Sequence, residues 1–241
     1  MKNTTVIELN SVGKKYTIRH VKPALIDSFF NFNKKDFWAL RDVSLQFKKG
    51  EKIGIIGHNG SGKTTFLKLI AGITQASSGN VKITGRVVSL IELTAGFHPD
   101  LSGRENIFLN GLLIGMSLEE IQKKTKSIIR FAELHQFIDS PVYTYSAGMS
   151  LRLSFSVAVH ANPDILIMDE GIAVGDEYFQ TKAKKKIQEF FKKNKTIIVA
   201  SHWLEFIEDF CTKIVWLEKG GIRKVGGKEL LVEYKKYMKN K

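Results

Sequence analysis

Residues 57–65 read GHNGSGKTT and lie between the apolar run KIGII (52–56) and the run FLKLIAG (66–72). Gly57, Gly62, Lys63 and Thr64 fill the pattern G-x-x-x-x-G-K-[ST], which is a loop between a strand and a helix. Glycines permit backbone angles that let several N–H groups converge on phosphate oxygens. The following helix directs its positive N-terminal end at the same point. The stretch therefore predicts that this loop holds the phosphates of a nucleotide.

The polar residues of the loop have expected roles. The Lys63 ammonium would lie between the outer phosphates, where it would serve binding and catalysis, and the Thr64 hydroxyl would bind Mg²⁺. The predicted nucleotide contacts comprise the whole loop: Gly57, His58, Asn59, Gly60, Ser61, Gly62, Lys63, Thr64 and Thr65.

The composition narrows the class of protein. The chain has 241 residues, a formal net charge of +13 at pH 7 and one cysteine. This net positive charge fits an acidic partner, which could be nucleic acid, a nucleotide or anionic lipid. The charge alone does not distinguish among these three. No apolar run approaches the roughly 18 residues that a membrane-spanning helix needs. Cys211 is the only cysteine of the chain and cannot form an intrachain disulfide. We therefore expect it to pack as a small buried apolar residue, and we expect the protein to be located in a reducing compartment.

Three apolar runs indicate the fold class. IGII, ILIMD and TIIVAS do not alternate polar and apolar residues, so we expect an α/β protein with a parallel sheet covered on both faces. Ser102 with Glu105, and Ser117 with Glu120, form capping-box patterns that predict a helix-rich stretch over about 100–135. TVIELNSVGKKYTI predicts a pair of strands, and KIVWLEKGGIRKVG predicts a hairpin with a Gly-Gly turn.

Two carboxylates follow a buried strand in DILIMDE. Ligands of open α/β sheets bind at the carboxyl ends of the strands, and adjacent side chains point to opposite sides. Asp169 is expected to hold Mg²⁺, directly or through water, and Glu170 is expected to polarise the water that attacks the terminal phosphate.

A second anion-binding pattern lies in YSAGMSLRLSFSVAVHANP, where Ser146 and Gly148 precede an apolar helical run. The loop at 57–64, YSAGM, ILIMDE, Asp176 in AVGD and His202 after VAS together resemble the ATP-binding cassette (ABC) family over nearly the whole chain. The resemblance implies one ABC nucleotide-binding domain over 1–241, with ATP and Mg²⁺ as ligands. It implies a P-loop NTPase core with a mainly parallel sheet, an antiparallel β subdomain, and a helical subdomain of about 94–160 inserted in the RecA-like core.

The resemblance also implies a second copy of the chain. In the family, the signature loop of one subunit closes over the ATP held by the other, so a head-to-tail homodimer with two ATP molecules is expected. Ser146, Ala147 and Gly148 would bind the partner's nucleotide, and Asp176 would link the two sites. His202 would hydrogen-bond the γ-phosphate as a catalytic residue.

The sequence departs from the family pattern in the signature loop, in the glutamine loop and at Gly171, where family members usually have proline. YSAGM replaces the usual Leu-Ser-Gly-Gly-Gln but keeps the serine and the final glycine. The glutamine loop would fall in SLIELTAG, which has no glutamine, so Glu92 is the expected occupant and a further candidate at the metal. Tyr16 stands where the family has an aromatic residue that stacks on adenine, and Trp38 is the alternative.

The sequence closely resembles one subgroup of the ABC family. IELTAGFHPDLSGRENIFLNGLLIGMS, with the stretches around it, is similar to the ATPases of bacterial exporters for lipid-linked polysaccharides such as O-antigen, capsule and teichoic acid. This implies a polytopic membrane permease that inserts a short helix beside the helix-rich stretch, and a peripheral location at the cytoplasmic face of the inner membrane. We expect no C-terminal carbohydrate-binding domain. The aromatic and basic loop at 19–38 is expected to face the permease, the membrane or the substrate.

Other functions are weighed against export. An ABC transporter for another substrate fits the same motifs, and a non-transport ABC ATPase acting on nucleic acid or ribosomes would suit the positive charge. DNA-repair types insert a long coiled coil before the signature, and translation types carry two cassettes. Because neither feature occurs here, no nucleic-acid partner is expected.

Overall fold

A computed structural model of the chain describes residues 4–18, 35–169 and 175–239. The strands in this part of the chain are β1 (Thr5–Ile18), β2 (Lys35–Lys48), β3 (Lys52–Ile56), β4 (Ser78–Ile83), β5 (Val87–Ser89), β6 (Ile165–Met168), β7 (Thr196–Ala200), β8 (Lys213–Glu218) and β9 (Gly221–Gly226). The helices are α1 (Lys63–Ile70), α2 (Gly103–Leu113), α3 (Leu118–Ala132), α4 (Ala147–His160), α5 (Glu177–Lys192), α6 (Leu204–Phe210) and α7 (Glu229–Lys239), with a short 3₁₀ helix at Val142–Thr144.

A six-stranded sheet in the order β5-β6-β7-β3-β8-β9 forms the centre of the fold. Its first five strands are parallel, and β9 is antiparallel to β8. This strand pairing confirms the expected parallel sheet. The strands β6 and β7 are buried along their whole length, as expected for a sheet that is covered on both faces. Strands that are buried on both faces carry unbroken apolar runs instead of an alternating pattern.

The alternating side chains of this sheet serve two separate cores. One face, with α1 and the second sheet, packs Ile53, Ile55, Ile165, Ile167, Ile198, Ala200, Val215 and Leu217. The opposite face, with the remaining helices, packs Leu166, Met168, Ile197, Val199, Ile214 and Trp216. The sheet is therefore a middle layer, and its carboxyl edge stays available between the two covering layers.

The second sheet is three-stranded and antiparallel, in the order β2-β1-β4. Here the sequence-based expectation of a strand pair within residues 5–18 is wrong. Those residues form the single strand β1, which pairs with β2 on one side and β4 on the other. Ser11 takes a left-handed φ of 47°, and its N–H donates to the Ser44 hydroxyl at 2.9 Å. The segment NSVG is therefore a β-bulge and not a turn.

The helix caps and the hairpin are close to the sequence pattern. Ser102 and Glu105 form the full capping box. Ser117 accepts from the Glu120 N–H, but the Glu120 carboxylate accepts from Lys124 and Arg86 instead, so this second box is only half formed. The β8–β9 turn is Lys219–Gly220, one residue earlier than the expected Gly-Gly pair, and both residues have positive φ, as a two-residue I′ turn requires.

Helices α2, α3 and α4 pack on one another beside the central sheet. Buried Asn106 holds the entrance of α2 through its side-chain amide, which donates to the carbonyl oxygens of His98, Leu101 and Ser102, each at 3.0 Å. Among the described residues, no helix combines the length and the hydropathy that crossing a bilayer demands.

Candidate functional site

The carboxyl ends of β3, β5, β6 and β7 meet at one edge of the central sheet, where ligands of α/β folds bind. The residues that follow these strands are the loop 57–62, Glu92, Asp169 and His202. The topology therefore places four sequence-predicted candidates from distant parts of the chain at one edge.

The loop between β3 and α1 has no space for side chains at two of its glycines. A Cβ at Gly57 would lie 2.3 Å from the Leu217 carbonyl oxygen, and a Cβ at Gly62 would lie 2.7 Å from the Ala39 carbonyl oxygen. Gly62 also has a φ of 105°, in the left-handed region that favours glycine. Any larger residue at either position would displace the loop from its neighbouring strands.

Backbone hydrogen bonds tie this loop to both sheets. The Gly220 N–H in the β8–β9 turn donates to the Ser61 carbonyl oxygen at 3.1 Å. The Arg41 N–H in β2 donates in turn to the Gly220 carbonyl oxygen at 2.8 Å. The β8–β9 turn thus holds the loop, and β2 holds that turn.

The start of α1 is suited to an anion. Gly62 provides no side-chain cap, so the first N–H groups of the helix lack an internal acceptor. The Ser61 hydroxyl is buried and finds no hydrogen-bond partner among the described residues. A Cβ at Gly60 would meet nothing within 4 Å, so this side of the loop is open to a ligand. These features fit phosphate oxygens, which satisfy N–H groups at helix N-termini.

Lys63 bends back over its own loop. Its ammonium donates to the carbonyl oxygens of Gly57 at 2.7 Å and His58 at 3.2 Å. The Nε2 atom of His202, just beyond β7, lies 3.2 Å from the same ammonium. The two candidates for the outer phosphates are therefore in contact, although 139 positions separate them in the sequence.

Thr64 and Asp169 form the second close pair. The Thr64 hydroxyl donates to Oδ2 of Asp169 at 3.0 Å. Mg²⁺ prefers oxygen ligands and usually takes only one or two from the protein, completing its shell with phosphate and water. A hydroxyl and a carboxylate oxygen beside the phosphate loop fit that requirement.

Glu92 is paired with a lysine of α1. Its carboxylate lies 2.5 Å from the Lys68 ammonium, and its φ of 53° is uncommon for a residue other than glycine. The hydrogen bond to Glu92, and to a lesser extent the charge of Asp169, raise the pKa of Lys68. The structure brings Glu92 to the expected edge, but its contact is with an ammonium.

Tyr16 and Trp38 lie on opposite faces of the β1–β2 ribbon. Directly opposed residues share a face, and the register pairs Tyr16 with Phe37 and Lys15 with Trp38. Trp38 packs toward Gly13, with its ring 2.9 Å from a Cβ built there. Tyr16 is 40% exposed on the other face of the ribbon.

Ser146 is the N-cap of α4, and its hydroxyl accepts from the Met149 N–H at 3.1 Å. Ser146 and Ala147 are exposed and Gly148 is half-buried. Tyr145 anchors this loop in the helical layer, since its hydroxyl donates to the Phe137 carbonyl oxygen at 2.6 Å. The exposed N-terminus of α4 thus faces outward from its own layer.

Asp176 is the N-cap of α5, accepting from the Phe179 N–H at 2.8 Å. Arg152 of α4 approaches its carboxylate at 3.9 Å, and the Arg152 stem packs near Gly175. Asp176 is mostly exposed, so it remains accessible to another molecule. Glu170 and most of the 19–38 loop lie outside the described residues, and their roles stay predictions.

Sequence reasoning missed three residues of this region. Lys68 pairs with Glu92, the half-exposed Phe37 lies beside Tyr16, and Arg152 contacts the Asp176 cap. Of these three residues, only Lys68 could have been predicted from the sequence. It lies four positions after Thr64, so both side chains share a face of α1.

The fold and the loop define a P-loop nucleotide-binding domain. The family model described as ABC transporter matches residues 40–173. An O-antigen export system ATP-binding protein, RfbB, of Klebsiella pneumoniae is 42% identical over 242 residues, which cover 97% of this chain and 98% of that protein. The chain therefore belongs to the ABC transporter family, as the sequence motifs indicated.

Other relatives are longer than this chain. The O-antigen export protein RfbB of Myxococcus xanthus is 50% identical over 198 residues, or 82% of this chain and 45% of that protein. The teichoic acids export ATP-binding protein TagH of Lactococcus lactis is 46% identical over 207 residues, or 86% of this chain and 44% of that protein. The chain thus spans about half the length of these two relatives.

Solved structures confirm the fold. An ATP-binding subunit of an ABC transporter superposes with a TM-score of 0.71 at 21% identity, covering 95% of this chain and 92% of that one. A dimeric ATP-binding cassette with ADP and phosphate gives a TM-score of 0.68 at 22% identity, covering 92% and 98%. The predicted combination of parallel sheet, antiparallel sheet and helices is confirmed.

We predict that Lys63→Ala weakens ATP binding by about 10- to 100-fold, since a hydrogen bond to a charged group is worth about 1.5–3 kcal/mol. Isothermal titration calorimetry measures this, with Lys123→Ala as a control that removes an exposed lysine of α3. An affinity equal to that of the unchanged chain would show that the loop does not hold the phosphates.

Proposed function

We propose that this chain hydrolyses ATP and thereby powers export of a lipid-linked polysaccharide through a partner permease at the cytoplasmic face of the cell membrane. The observation that carries the proposal is the 42% identity to the Klebsiella O-antigen export protein, because it extends over 98% of that relative. The teichoic acids export relative supports the same substrate class.

The loop 57–65 and its neighbours are the proposed ATP site. Backbone N–H groups of the loop and the Lys63 ammonium would bind the phosphates, and Thr64 with Asp169 would hold Mg²⁺. The ion, when bound, would neutralise charge on the outer phosphates. His202 contacts the γ-phosphate, and its position against Lys63 supports this role. Glu170 is the proposed general base that orients the attacking water.

Tyr16 is the proposed adenine platform. It is exposed on one face of the ribbon, whereas Trp38 lies on the opposite face and packs toward Gly13. The Lys14 ammonium lies 5.1 Å from the centre of the Tyr16 ring, and exposed Phe37 lies beside it. An aromatic face of this kind stacks on any base.

The second copy completes the site in this proposal. The N-terminus of α4 is exposed to solvent and suits a γ-phosphate; it is formed by Ser146, Ala147 and Gly148. Their own loop is anchored in the helical layer through Tyr145. Asp176, exposed at the start of α5, would link the two sites in the dimer.

A groove beside the helical layer is the proposed permease dock. It has a volume of about 370 Å³ and is lined by Thr94, Phe97, Pro99, Val142, Tyr143, Ala147, Ser150 and Leu151. Backbone bonds from Val142 to the Leu101 carbonyl oxygen and from Tyr143 to the Pro99 carbonyl oxygen hold its walls together. The largely apolar lining suits the apolar face of a short helix.

We predict that Tyr16→Ala lowers ATP affinity by about 5- to 100-fold, since stacking of a base on an aromatic ring is worth about 1–3 kcal/mol. Trp38→Ala is the matched comparison and should change the affinity less than about 2-fold. Titration with a fluorescent ATP analogue measures both. The reverse order of effects would assign the adenine platform to Trp38.

Deletion of the gene should abolish surface polysaccharide and leave lipid-linked polymer inside the cell. The unchanged chain should restore export, whereas Glu170→Gln should fail, because loss of a general base slows hydrolysis by about 10²- to 10⁴-fold. Surface labelling of the polymer measures the result. Unaltered surface polysaccharide in the deletion strain would contradict the proposed substrate class.

The groove is tested in the same strain. Phe97→Asp places a charge in the groove and should abolish export while ATP binding stays normal. Leu118→Asp is the control, because Leu118 is 56% exposed outside the groove lining. Normal export with Phe97→Asp would remove the groove from the permease contact.

A further inference from the structure

The pair of Lys68 and Glu92 is a charged contact that the proposed ATP site does not explain. The ammonium and carboxylate are 2.5 Å apart, and the two side chains are 30% and 44% exposed. Glu92 belongs to the segment after β5 and Lys68 to α1, so the contact joins two separate elements at the carboxyl edge of the sheet.

Lys68 lies close to the proposed metal position. It is one helical turn beyond Thr64, so both side chains project from one face of α1. Thr64 in turn contacts Asp169 at 3.0 Å. Two carboxylates therefore contact this face of α1, Asp169 at the Thr64 hydroxyl and Glu92 at the Lys68 ammonium.

The ammonium and a divalent cation would compete for the same carboxylate. A second uncompensated carboxylate beside the phosphates of ATP would repel them, while beside Mg²⁺ it would be attracted. The ammonium of Lys68 compensates the charge of the Glu92 carboxylate in the described fold. The partly exposed Glu92 side chain is held against α1 by this ion pair.

We propose that Lys68 is a positioning residue, which holds the Glu92 carboxylate while the metal position is empty and releases it toward the metal when a divalent ion binds beside the nucleotide. The inference rests on the proposed function, since it requires a metal at Thr64 and Asp169. Lys68 thereby sets the affinity of the site for a divalent ion. It also compensates the negative charge that a glutamate brings to position 92.

The test is a double-variant cycle on metal affinity. Mn²⁺ binding is measured by electron paramagnetic resonance in the presence of saturating AMP-PNP, for the unchanged chain, Lys68→Met, Glu92→Gln and the double variant. Lys68→Met should tighten Mn²⁺ binding by about 3- to 10-fold, the size that Coulomb attraction between a freed unit charge and a divalent ion several ångströms away gives in a water-like medium. Glu92→Gln should weaken it.

The decisive comparison is the effect of Lys68→Met in the two backgrounds. Loss of the lysine charge acts through space in both, but only the background that keeps Glu92 contains a carboxylate to release. The tightening should therefore be at least threefold larger in the chain that keeps Glu92 than in the Glu92→Gln variant. Equal effects in both backgrounds would overturn the proposal and leave Lys68 as a simple charge.

Three controls separate the possible failures. Lys68→Arg keeps the ion pair and should bind Mn²⁺ as the unchanged chain does, whereas a packing role for the unbranched stem would predict that Lys68→Met also leaves the affinity unchanged. Lys236→Met removes an exposed lysine of α7 and should leave Mn²⁺ affinity unchanged. Absence of Mn²⁺ binding by the unchanged chain would contradict the proposed metal site itself, whereas normal binding without coupling contradicts only the role of Lys68.

Discussion

The loop between β3 and α1 can take only one path, and the rest of the site depends on that path. Backbone carbonyl groups of Leu217 and Ala39 occupy the space that side chains at Gly57 and Gly62 would need. The β8–β9 turn then holds the loop through one backbone hydrogen bond, and β2 holds that turn through another. Both sheets therefore converge on the phosphate position, and α1 starts there without a side-chain cap.

The parallel sheet converts this local geometry into a composite site. Strands β5, β6 and β7 end at the same edge as β3, so Glu92, Asp169 and His202 reach the loop from three further segments. Their contacts with Lys68, Thr64 and Lys63 all involve residues of α1. One helix, fixed by one loop, thus contacts Glu92, Asp169 and His202.

Local patterns in the sequence predicted the parts that depend on local physics. The loop 57–65, the Ser102 capping box and the buried parallel strands follow from residue type and spacing. Features that depend on distant pairing were not predictable: the NSVG bulge passes for a turn because both interrupt an alternating pattern. The same ribbon decides that Tyr16 and Trp38 face opposite ways, and the partner of Glu92 lies 24 positions away.

The central claim is that the triphosphate held by one chain is closed by residues 145–149 of a second copy. The most direct measurement is the mass in solution of Glu170→Gln with Mg-ATP, by size exclusion with light scattering. We predict a dimer, which Ser146→Arg added to Glu170→Gln returns to the monomer while ATP still binds. Ser146→Ala removes the α4 cap without adding bulk and controls for helix destabilisation, which costs about 1 kcal/mol. A dimer that persists with Ser146→Arg would contradict the account.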